Sequence, residues 1–402
     1  MRAPGRISLI PSAHPCPWNQ QARLWWLLWC HCPGLGPQRL AELVAGFETL
    51  EAAWHAPLSS LGTLGQWSDR LLQGVEAYRQ SWGGDPLSEA AKRWHGGRGV
   101  LLPGDRRWPA KIAHAQPPPA ALYWEGRGSL WQPLSKRQAV AVVGTRRPSR
   151  HGLKVSRHIG SVLAQAGWPV VSGLAAGIDG AVHEGCLQAG GVPIGVLGTP
   201  LGRVYPRHHA ALQASVGQQG LLVSELSPGA PVSKGSFALR NRLQVALASA
   251  VILVECPVGS GALHSAELAW RESLPLWVVP ADTDRISAQG SNGFLARGAT
   301  PLTRPEDLLR LLGPGPLKAP RDAPNALHQP SASPTPHTQR LLKALGRGAS
   351  LEELCQSLQT SSQSLLPHLL ELEACGTLVA EPGLFWRPRS PSSAPVPKIN
   401  GR

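Results

Sequence analysis

The sequence predicts an α/β protein built on a doubly wound, mostly parallel sheet. From Gly99 onwards, short apolar runs rich in β-branched residues alternate with segments of helical spacing, as βα units require. The runs are apolar throughout, which is typical of parallel strands that helices cover on both faces. The sheet is therefore expected to be Rossmann-like, with strands at residues 140–143, 169–171, 194–197, 221–223, 250–254 and 276–279.

A helical domain is predicted before the sheet. Residues 24–53 have helical apolar spacing that CPGLGP interrupts at 32–37, which predicts two helices joined by a glycine turn. This is the shape of a helix-hairpin-helix or SAM-like domain, whose turn amides can hold a DNA phosphate, but the motif is weak and helix packing is the preferred explanation. Eleven of the 15 tryptophans lie between Trp18 and Trp131, among Leu and Ala, so they are expected to fill a core rather than stack on bases.

A second small domain is predicted at the C-terminal end. Helical spacing at 338–345, 350–358 and 362–376, followed by hairpin strands at 377–379 and 384–386, indicates a winged helix. Its recognition segment, 361–372, contains no Lys or Arg, so partner contact or structural support is favoured over duplex binding. The predicted organisation is a disordered N-terminus (1–20), a helical domain (21–84), a Rossmann-like domain (85–312), a Pro-rich linker (313–336), a winged helix (337–388) and a disordered tail (389–402).

The composition favours a polyanionic partner. The 402 residues include 39 Lys and Arg against 25 Asp and Glu, a net charge of +14, although a merely basic protein would show the same balance. The seven cysteines are odd in number and scattered, which argues against a secreted disulfide framework, and Cys16, Cys30, His31 and Cys32 lack the paired spacing of a metal site. No apolar run approaches the ~20 residues of a membrane helix. A cytoplasmic protein without a membrane span, metal or cofactor is expected.

Three strand-end glycine turns predict a phosphate-binding crevice. The carboxyl ends of parallel strands meet at one edge of a sheet, where backbone amides and helix N-termini attract anions. No acidic residue precedes Asp179 within the segment that starts at Val140, and Arg146, Arg147 and Arg150 follow the first predicted strand. Glycines that merely permit tight turns are the alternative. The turn residues predicted to bind are Gly144, Thr145, Ser172, Gly173, Ser260 and Gly261.

A second basic segment opens the helix that begins near residue 234. Lys234, Phe237, Arg240 and Asn241 could pair phosphates and stack a base. Phe237 could equally anchor the helix on the sheet, and Arg242 could be a structural ion-pair partner. For Lys234 and Arg240, a role in binding is favoured.

Catalysis has little support in the sequence. Asp179 and His183 would share one face of a helix and, with Glu184, are the natural acid–base candidates, but Asp179 is expected to N-cap the helix 180–188 or to form buried polar structure. The turn after the first strand lacks the second glycine of a dinucleotide fingerprint, and a Walker lysine motif is absent. The prediction is a protein that is not an enzyme.

Several motifs in a fixed order resemble the DNA-processing protein A (DprA/Smf) family of bacterial recombination mediators. They lie between about Val140 and Ala299: VVGTRRPSRHG, VVSGLAAGID, IGVLGTPLGRVYP, SEL, KGSFALRNR, SGALHSA and NGFLARGA. The resemblance implies a protein that binds and protects single-stranded DNA, loads the RecA recombinase onto it during natural transformation, and acts as a homodimer. By position, Arg146 matches the family's arginine after the first strand. The segment that lines the family's DNA pocket is matched by Lys234, Phe237, Arg240 and Asn241.

The chain departs from the family pattern at four positions. Ala176 replaces a basic residue, Thr145 a serine, Ala238 a proline and Ala281 a glycine. The departures imply that binding is weaker or is redistributed to Arg147 and Arg150.

Two alternatives remain at this point. The first is an enzyme similar to nucleoside-monophosphate phosphoribohydrolases, although Ala262 and Ser265 stand where those enzymes have a threonine and the catalytic glutamate. The second is a regulator that binds duplex DNA through the predicted winged helix.

Overall fold

The computed structural model describes residues 18–94, 99–318, 336–374, 377–381 and 383–388. Its centre is a nine-stranded sheet in the order β1-β2-β6-β5-β4-β3-β7-β8-β9. In this spatial order, all neighbouring strands from β6 to β9 pair in parallel, whereas β1 pairs with β2, and β2 with β6, in antiparallel fashion. The predicted mostly parallel α/β sheet is thus confirmed. The strands are β1 (Val100–Leu101), β2 (Leu122–Gly126), β3 (Val140–Val143), β4 (Val170–Ser172), β5 (Pro193–Leu197), β6 (Leu221–Ser224), β7 (Ala250–Leu253), β8 (Leu276–Val278) and β9 (Thr300–Pro301).

Helices cover both faces of this sheet. Successive residues of a strand point to opposite faces, and Val140 and Val142 of β3 enter one core whereas Ala141 and Val143 enter another. The first core contains α9, α10 and α15, and the second contains α7, α8, α12, α13 and α14, while α11 packs beside α10. These helices are α7 (Ala110–Ala113), α8 (Trp131–Ser135), α9 (Arg150–Gln165), α10 (Ile178–Gln188), α11 (Ala210–Gln219), α12 (Lys234–Leu247), α13 (Gly261–Arg271), α14 (Gln289–Ala296) and α15 (Asp307–Leu312).

The N-terminal segment is helical, as predicted, and its tryptophans fill a core. Trp25, Trp26 and Trp29 of α1 are buried, and the Trp29 indole donates to the Leu50 carbonyl at 2.9 Å. Leu102 and Tyr123, from the antiparallel edge of the sheet, belong to the same core. The helices are α1 (Gln20–His31), α2 (Pro37–Gly46), α3 (Leu50–His55), α4 (Leu58–Gly62), α5 (Asp69–Gln80) and α6 (Pro86–Trp94).

Contacts divide the chain into two compact units, of which the first holds both the helical segment and the nine-stranded sheet. The second unit contains α16 (Pro336–Leu345), α17 (Leu351–Leu358) and α18 (Ser362–Ala374) with an antiparallel sheet β10-β12-β11. Its strands are β10 (Ala349–Ser350), β11 (Leu378–Glu381) and β12 (Phe385–Pro388). Trp386, fully buried, is at its centre.

The expected disordered N-terminus, apart from residues 18–20, the disordered tail and most of the Pro-rich linker lie outside the described residues. So do Cys16 and Cys375. Every helix that the structure describes is too short or too polar to cross a bilayer.

Candidate nucleic-acid interface

Three strand-end loops meet at the carboxyl edge of the parallel sheet, as predicted. The loops follow β3, β4 and β7, which are neighbours in the sheet. The Thr145 amide donates to the Glu255 carbonyl at 2.7 Å, and the Ile178 amide donates to the Thr145 carbonyl at 3.2 Å. Gly177 has φ +85°, and a Cβ there would lie 2.4 Å from the Thr145 carbonyl oxygen. Glycine is therefore required at residue 177, where the first two loops touch.

The predicted nest of free amides is wrong for the first two turns, because the protein itself supplies acceptors. The Thr145 amide is bonded to Glu255 as described, and the Gly173 amide donates to the Asp179 carboxylate at 3.1 Å. The Ser172 hydroxyl is fully buried and donates to the Val142 carbonyl at 2.7 Å. A Cβ on Gly144 would lie 2.5 Å from the Ile178 side chain. The Thr145 and Gly173 amides and the Ser172 hydroxyl are therefore already bonded within the protein, and Gly144 packs against Ile178.

The third turn is also used structurally. Ser260 is the N-cap of α13, and its hydroxyl accepts from the Ala262 amide at 3.4 Å. The Gly261 carbonyl accepts from the Asn241 side-chain amide at 3.2 Å, which ties α12 to this turn. Asn241 and Gly261 thus hold two elements of the edge together.

Exposed cations and aromatic rings are brought together at the same edge. Arg146 and Arg147 are exposed, and the Arg146 guanidinium carbon lies 5.5 Å from the centre of the Phe237 ring. Phe237 is half-buried against Gly198, where a Cβ would lie 2.6 Å from the ring. The Tyr205 ring centre is 4.8 Å from that of Phe237, and Tyr205 is 45% exposed. We call Arg146, Tyr205 and Phe237 the edge cluster.

Tyr205 is absent from the residues predicted to bind. It lies in the loop after β5, whose sequence LGRVYPRHH combines one aromatic with two arginines and two histidines. This local combination of cations and an aromatic side chain is the sequence feature from which Tyr205 could have been predicted as a binding residue. Arg203 and Arg207 of this loop are exposed.

Helix α12 presents Lys234 at its first turn. Ser233 and Ser236 form a capping box, in which each hydroxyl oxygen accepts from the backbone amide of the other residue at 3.2 Å. The Ser236 hydroxyl also donates to the Gly198 carbonyl at 3.0 Å, which fixes the helix start over β5. Lys234 is exposed there. The structure therefore places this cation and the edge cluster on one surface at the carboxyl edge.

Arg240 does not lie on this surface, contrary to the prediction. Its side chain is buried, its guanidinium donates to the Val196 carbonyl, and a Cβ on Gly173 would collide with it at 1.8 Å. Burial lowers the pKa of Arg240 to about 10, against the attraction of Asp179, which raises it. Lys234 and Arg240 are two cations on one helix, and the sequence does not distinguish them. In the structure, Arg240 is on the face of α12 that packs into the protein, whereas Lys234 is exposed.

Arg242 is a structural cation, the alternative that the sequence allowed. Its guanidinium donates to both oxygens of Glu225, at 2.8 and 2.7 Å, and to the Pro117 carbonyl at 2.8 Å. This bidentate pair joins α12 to the segment after β6 and to the segment before β2.

Two of the three acid–base candidates, Asp179 and His183, are also buried. Asp179 lies inside the first turn of α10, whose N-cap is Gly177, so the predicted N-cap role is wrong and the buried polar role is correct. Burial raises the pKa of Asp179, while Arg240 and the amides of Ala175 and Gly173 oppose the rise. Glu184 is partly exposed and pairs with Arg157 at 2.9 Å.

His183 is expected to make the protein less stable in mild acid. Burial holds its pKa at about 3 in the folded protein, whereas an unfolded histidine titrates near pH 6.5. Between these values only the unfolded chain binds the extra proton, so the free energy of unfolding falls by about 1.4 kcal/mol for each unit of pH decrease. Denaturant unfolding of the wild type and His183→Leu between about pH 7 and pH 5 measures this slope. The slope should be smaller in His183→Leu and unchanged in a control, His208→Leu, at an exposed position; equal slopes in all three proteins would contradict the argument.

Glu255 was missed by the sequence analysis. Its carboxylate is buried, accepts from the Ser149 amide at 3.1 Å and from the Ser149 hydroxyl at 2.7 Å, and also accepts from the Ser287 hydroxyl. Ser149 is in turn the N-cap of α9 and accepts from the Gly152 amide at 3.0 Å. Glu255 therefore fixes the end of the loop that carries Arg146 and Arg147. The sequence feature that could have revealed Glu255 is a lone acidic residue directly after the apolar strand AVILV.

The position that corresponds to the catalytic glutamate of phosphoribohydrolases is buried. Ser265 has no exposed surface, and it lies within α13 below the third turn. A side chain there is enclosed by the core rather than directed to the edge of the sheet.

Together, the parallel sheet and its basic, aromatic edge define an α/β protein of the nucleotide- or nucleic-acid-binding class. Residues 99–313 match the family model described as DNA recombination-mediator protein A, and the chain belongs to this DNA-processing family. The resemblance inferred from the motifs is thereby confirmed.

The chain is similar to named members of the family over most of its length. It is 33% identical to Protein Smf of Synechocystis over 293 residues, which covers 73% of each protein. It is 32% identical to Protein Smf of Escherichia coli, with 72% of this chain and 77% of the relative covered. The X-ray structure of DNA processing protein A from Streptococcus pneumoniae matches with a TM-score of 0.59 at 26% identity, over 71% of this chain and 97% of that one.

Proposed function

We propose that the protein binds single-stranded DNA along the carboxyl edge of its parallel sheet and does not catalyse a reaction on the bound strand. The observation that carries the proposal is the edge cluster, in which the Arg146 guanidinium lies 5.5 Å from the Phe237 ring and Tyr205 extends the aromatic surface. Rings stack on bases regardless of sequence, and the cations pair with phosphates. The side chains of Arg146, Arg147 and Lys234 are exposed and can therefore reach the phosphates of a bound strand.

A single strand is favoured over a duplex because stacking on Phe237 and Tyr205 requires an unpaired base. The absence of Lys and Arg from residues 361–372 further disfavours duplex recognition by the second unit, which we propose is a winged helix on the basis of its element order. The burial of Asp179 and His183 supports a role in binding rather than catalysis.

The proposal includes a mediator role. Family membership and the motifs it rests on support protection of the bound strand, delivery of that strand to the RecA recombinase, action as a homodimer, and a cytoplasmic location. We also propose that α1, the GLG turn and α2 form the helix-hairpin-helix or SAM-like element of the predicted N-terminal domain.

Fluorescence anisotropy with labelled oligo(dT) tests this proposal. If Arg146, Arg147 and Lys234 neutralise three phosphates, the affinity of the wild type should fall about 20-fold between about 50 and about 200 mM salt, and that of Arg146→Ala about 7-fold. At the lower salt, Arg146→Ala and Phe237→Ala should each bind about 10-fold more weakly than the wild type, through loss of a phosphate contact and of base stacking.

The matched control is Arg310→Ala, an exposed arginine on α15, which packs on the other face of the sheet from α12. Its affinity should equal that of the wild type. A preference for duplex, an affinity insensitive to salt, or unchanged binding by Arg146→Ala and Phe237→Ala would refute binding of single strands at the edge cluster.

A further inference from the structure

A cleft of about 650 Å³ lies on the other side of α12 from the edge cluster. Its walls are α12, α13, and α7 with the residues that follow α7. The volume falls within the range of small-molecule and cofactor sites in proteins. Residues on this face of α12 include Gly235, Ala238 and Leu239, so the helix that presents Phe237 on one side forms a wall of the cleft on the other.

The cleft combines an apolar surface with basic edges. Ala238, Leu239 and Leu268 contribute apolar area, and the Leu239 side chain is 44% exposed although it is large and aliphatic. Lys111, His114, His264 and Arg271 also line the cleft, and all four are exposed. An apolar wall beside cations suits a ligand with a flat apolar part and an anionic part, as a nucleotide has.

The charges in the cleft leave Arg271 available to an anion. Lys111 pairs with Glu272 at 3.6 Å, and Arg242 is neutralised by Glu225. Glu267, one turn before Arg271 on α13, is bonded instead to Arg297 at 2.5 Å. Glu272 is the acidic residue among those that line the cleft, and its ion pair with Lys111 is exposed, so that lysine can exchange partners at little cost.

We propose that this cleft holds further nucleotides of the strand bound at the edge cluster, with a base against Leu239 and a phosphate at Arg271. The inference rests on the proposed function. Continuity supports it, because Phe237 and Leu239 are two residues apart on one helix and the exposed Lys234 and Gly235 lie at the helix start between the two sides. The bound strand passes over the start of α12 and thereby contacts both faces of the helix.

The test compares oligo(dT) of about 4 and about 16 nucleotides, which bracket the site sizes of single-strand binding folds. Anisotropy gives the ratio of the two affinities for the wild type, Arg271→Glu, Leu239→Gln and the control Arg310→Glu. A long oligonucleotide also offers more binding registers, but this statistical gain is equal in all variants. Arg271→Glu and Leu239→Gln should bind the short oligonucleotide as the wild type does and lose about 5- to 10-fold in affinity for the long one, the effect of losing one phosphate contact or one apolar contact.

Each result distinguishes the inference from the function on which it rests. An unchanged ratio in both cleft variants would overturn the cleft as a nucleotide site while leaving the edge cluster intact. A change in sedimentation mass in these variants, with an unchanged ratio, would overturn it in favour of an interface between copies of the chain. Failure of the wild type to bind either oligonucleotide would instead refute the proposed function.

Discussion

Asp179→Ala is expected to lower the free energy of unfolding by about 3 kcal/mol, partly because it removes the negative charge whose attraction offsets the cost of burying the Arg240 guanidinium. The same change removes the acceptor of the buried Gly173 amide. Urea or guanidinium unfolding, monitored by tryptophan fluorescence, measures the loss.

The double variant Asp179→Ala, Arg240→Met separates the effect of the unneutralised Arg240 charge from that of the lost acceptor for the Gly173 amide. Removing the cation as well as the anion should restore part of the stability, because no unpaired charge is then left in the core. A single-variant loss below about 1 kcal/mol, or a double variant no more stable than the single one, would contradict a stabilising attraction between these two buried charges.

Arg240→Met also tests where DNA binds. Because Arg240 is buried and bonded to Val196, the folded variant should bind oligo(dT) with the affinity of the wild type, whereas Lys234→Ala should bind about 10-fold more weakly. If Arg240→Met lost as much affinity as Arg146→Ala, the arginine would have to contact the strand, and its assignment to the core would be incorrect.

The second large effect is expected at Glu255. Glu255→Ala deprives the Ser149 amide and the hydroxyls of Ser149 and Ser287 of their acceptor, which should cost about 3 kcal/mol or more. The loop that carries Arg146 and Arg147 is then no longer fixed at its end, so the affinity for oligo(dT) should fall about 10-fold in protein that remains folded.

Glu267→Ala is the matched control for Glu255→Ala, because Glu267 is a carboxylate at the protein surface that pairs with Arg297. Its loss should cost no more than about 1 kcal/mol and leave DNA affinity unchanged. If Glu255→Ala lost stability but kept full affinity, Glu255 would support the fold without positioning the basic loop.

The sheet could be predicted from the sequence because its central strands are apolar on both faces. All six predicted strands are present within one or two residues of their predicted ends. The strands that were missed are β1 and β9, of two residues each, and β2, whose pattern ends in Glu125 and Gly126. Such short or mixed segments are fixed by pairing with their neighbours rather than by their own composition.

The sequence predicted that the binding surface lies at the carboxyl edge of the sheet, but it did not predict which residues at that edge are exposed. The acceptor of the Ser149 amide, Glu255, is 106 residues away along the chain, so the sequence gives no sign that the amides of these turns already have partners. Burial separates Arg240 from Lys234 in the same way, because the face of α12 that enters the protein depends on contacts with Val196 and Gly173.

The core that α1 to α6 share with the antiparallel edge of the sheet limits how the protein can be shortened. Leu102, Ala121 and Tyr123 belong to the same tryptophan-rich cluster as α1. Cutting the chain before Gly99 would open that cluster to water and leave a large apolar face on the remaining sheet, the kind of surface that drives aggregation. We therefore expect the edge cluster to be obtainable in soluble form only together with a helical segment that contributes none of its residues.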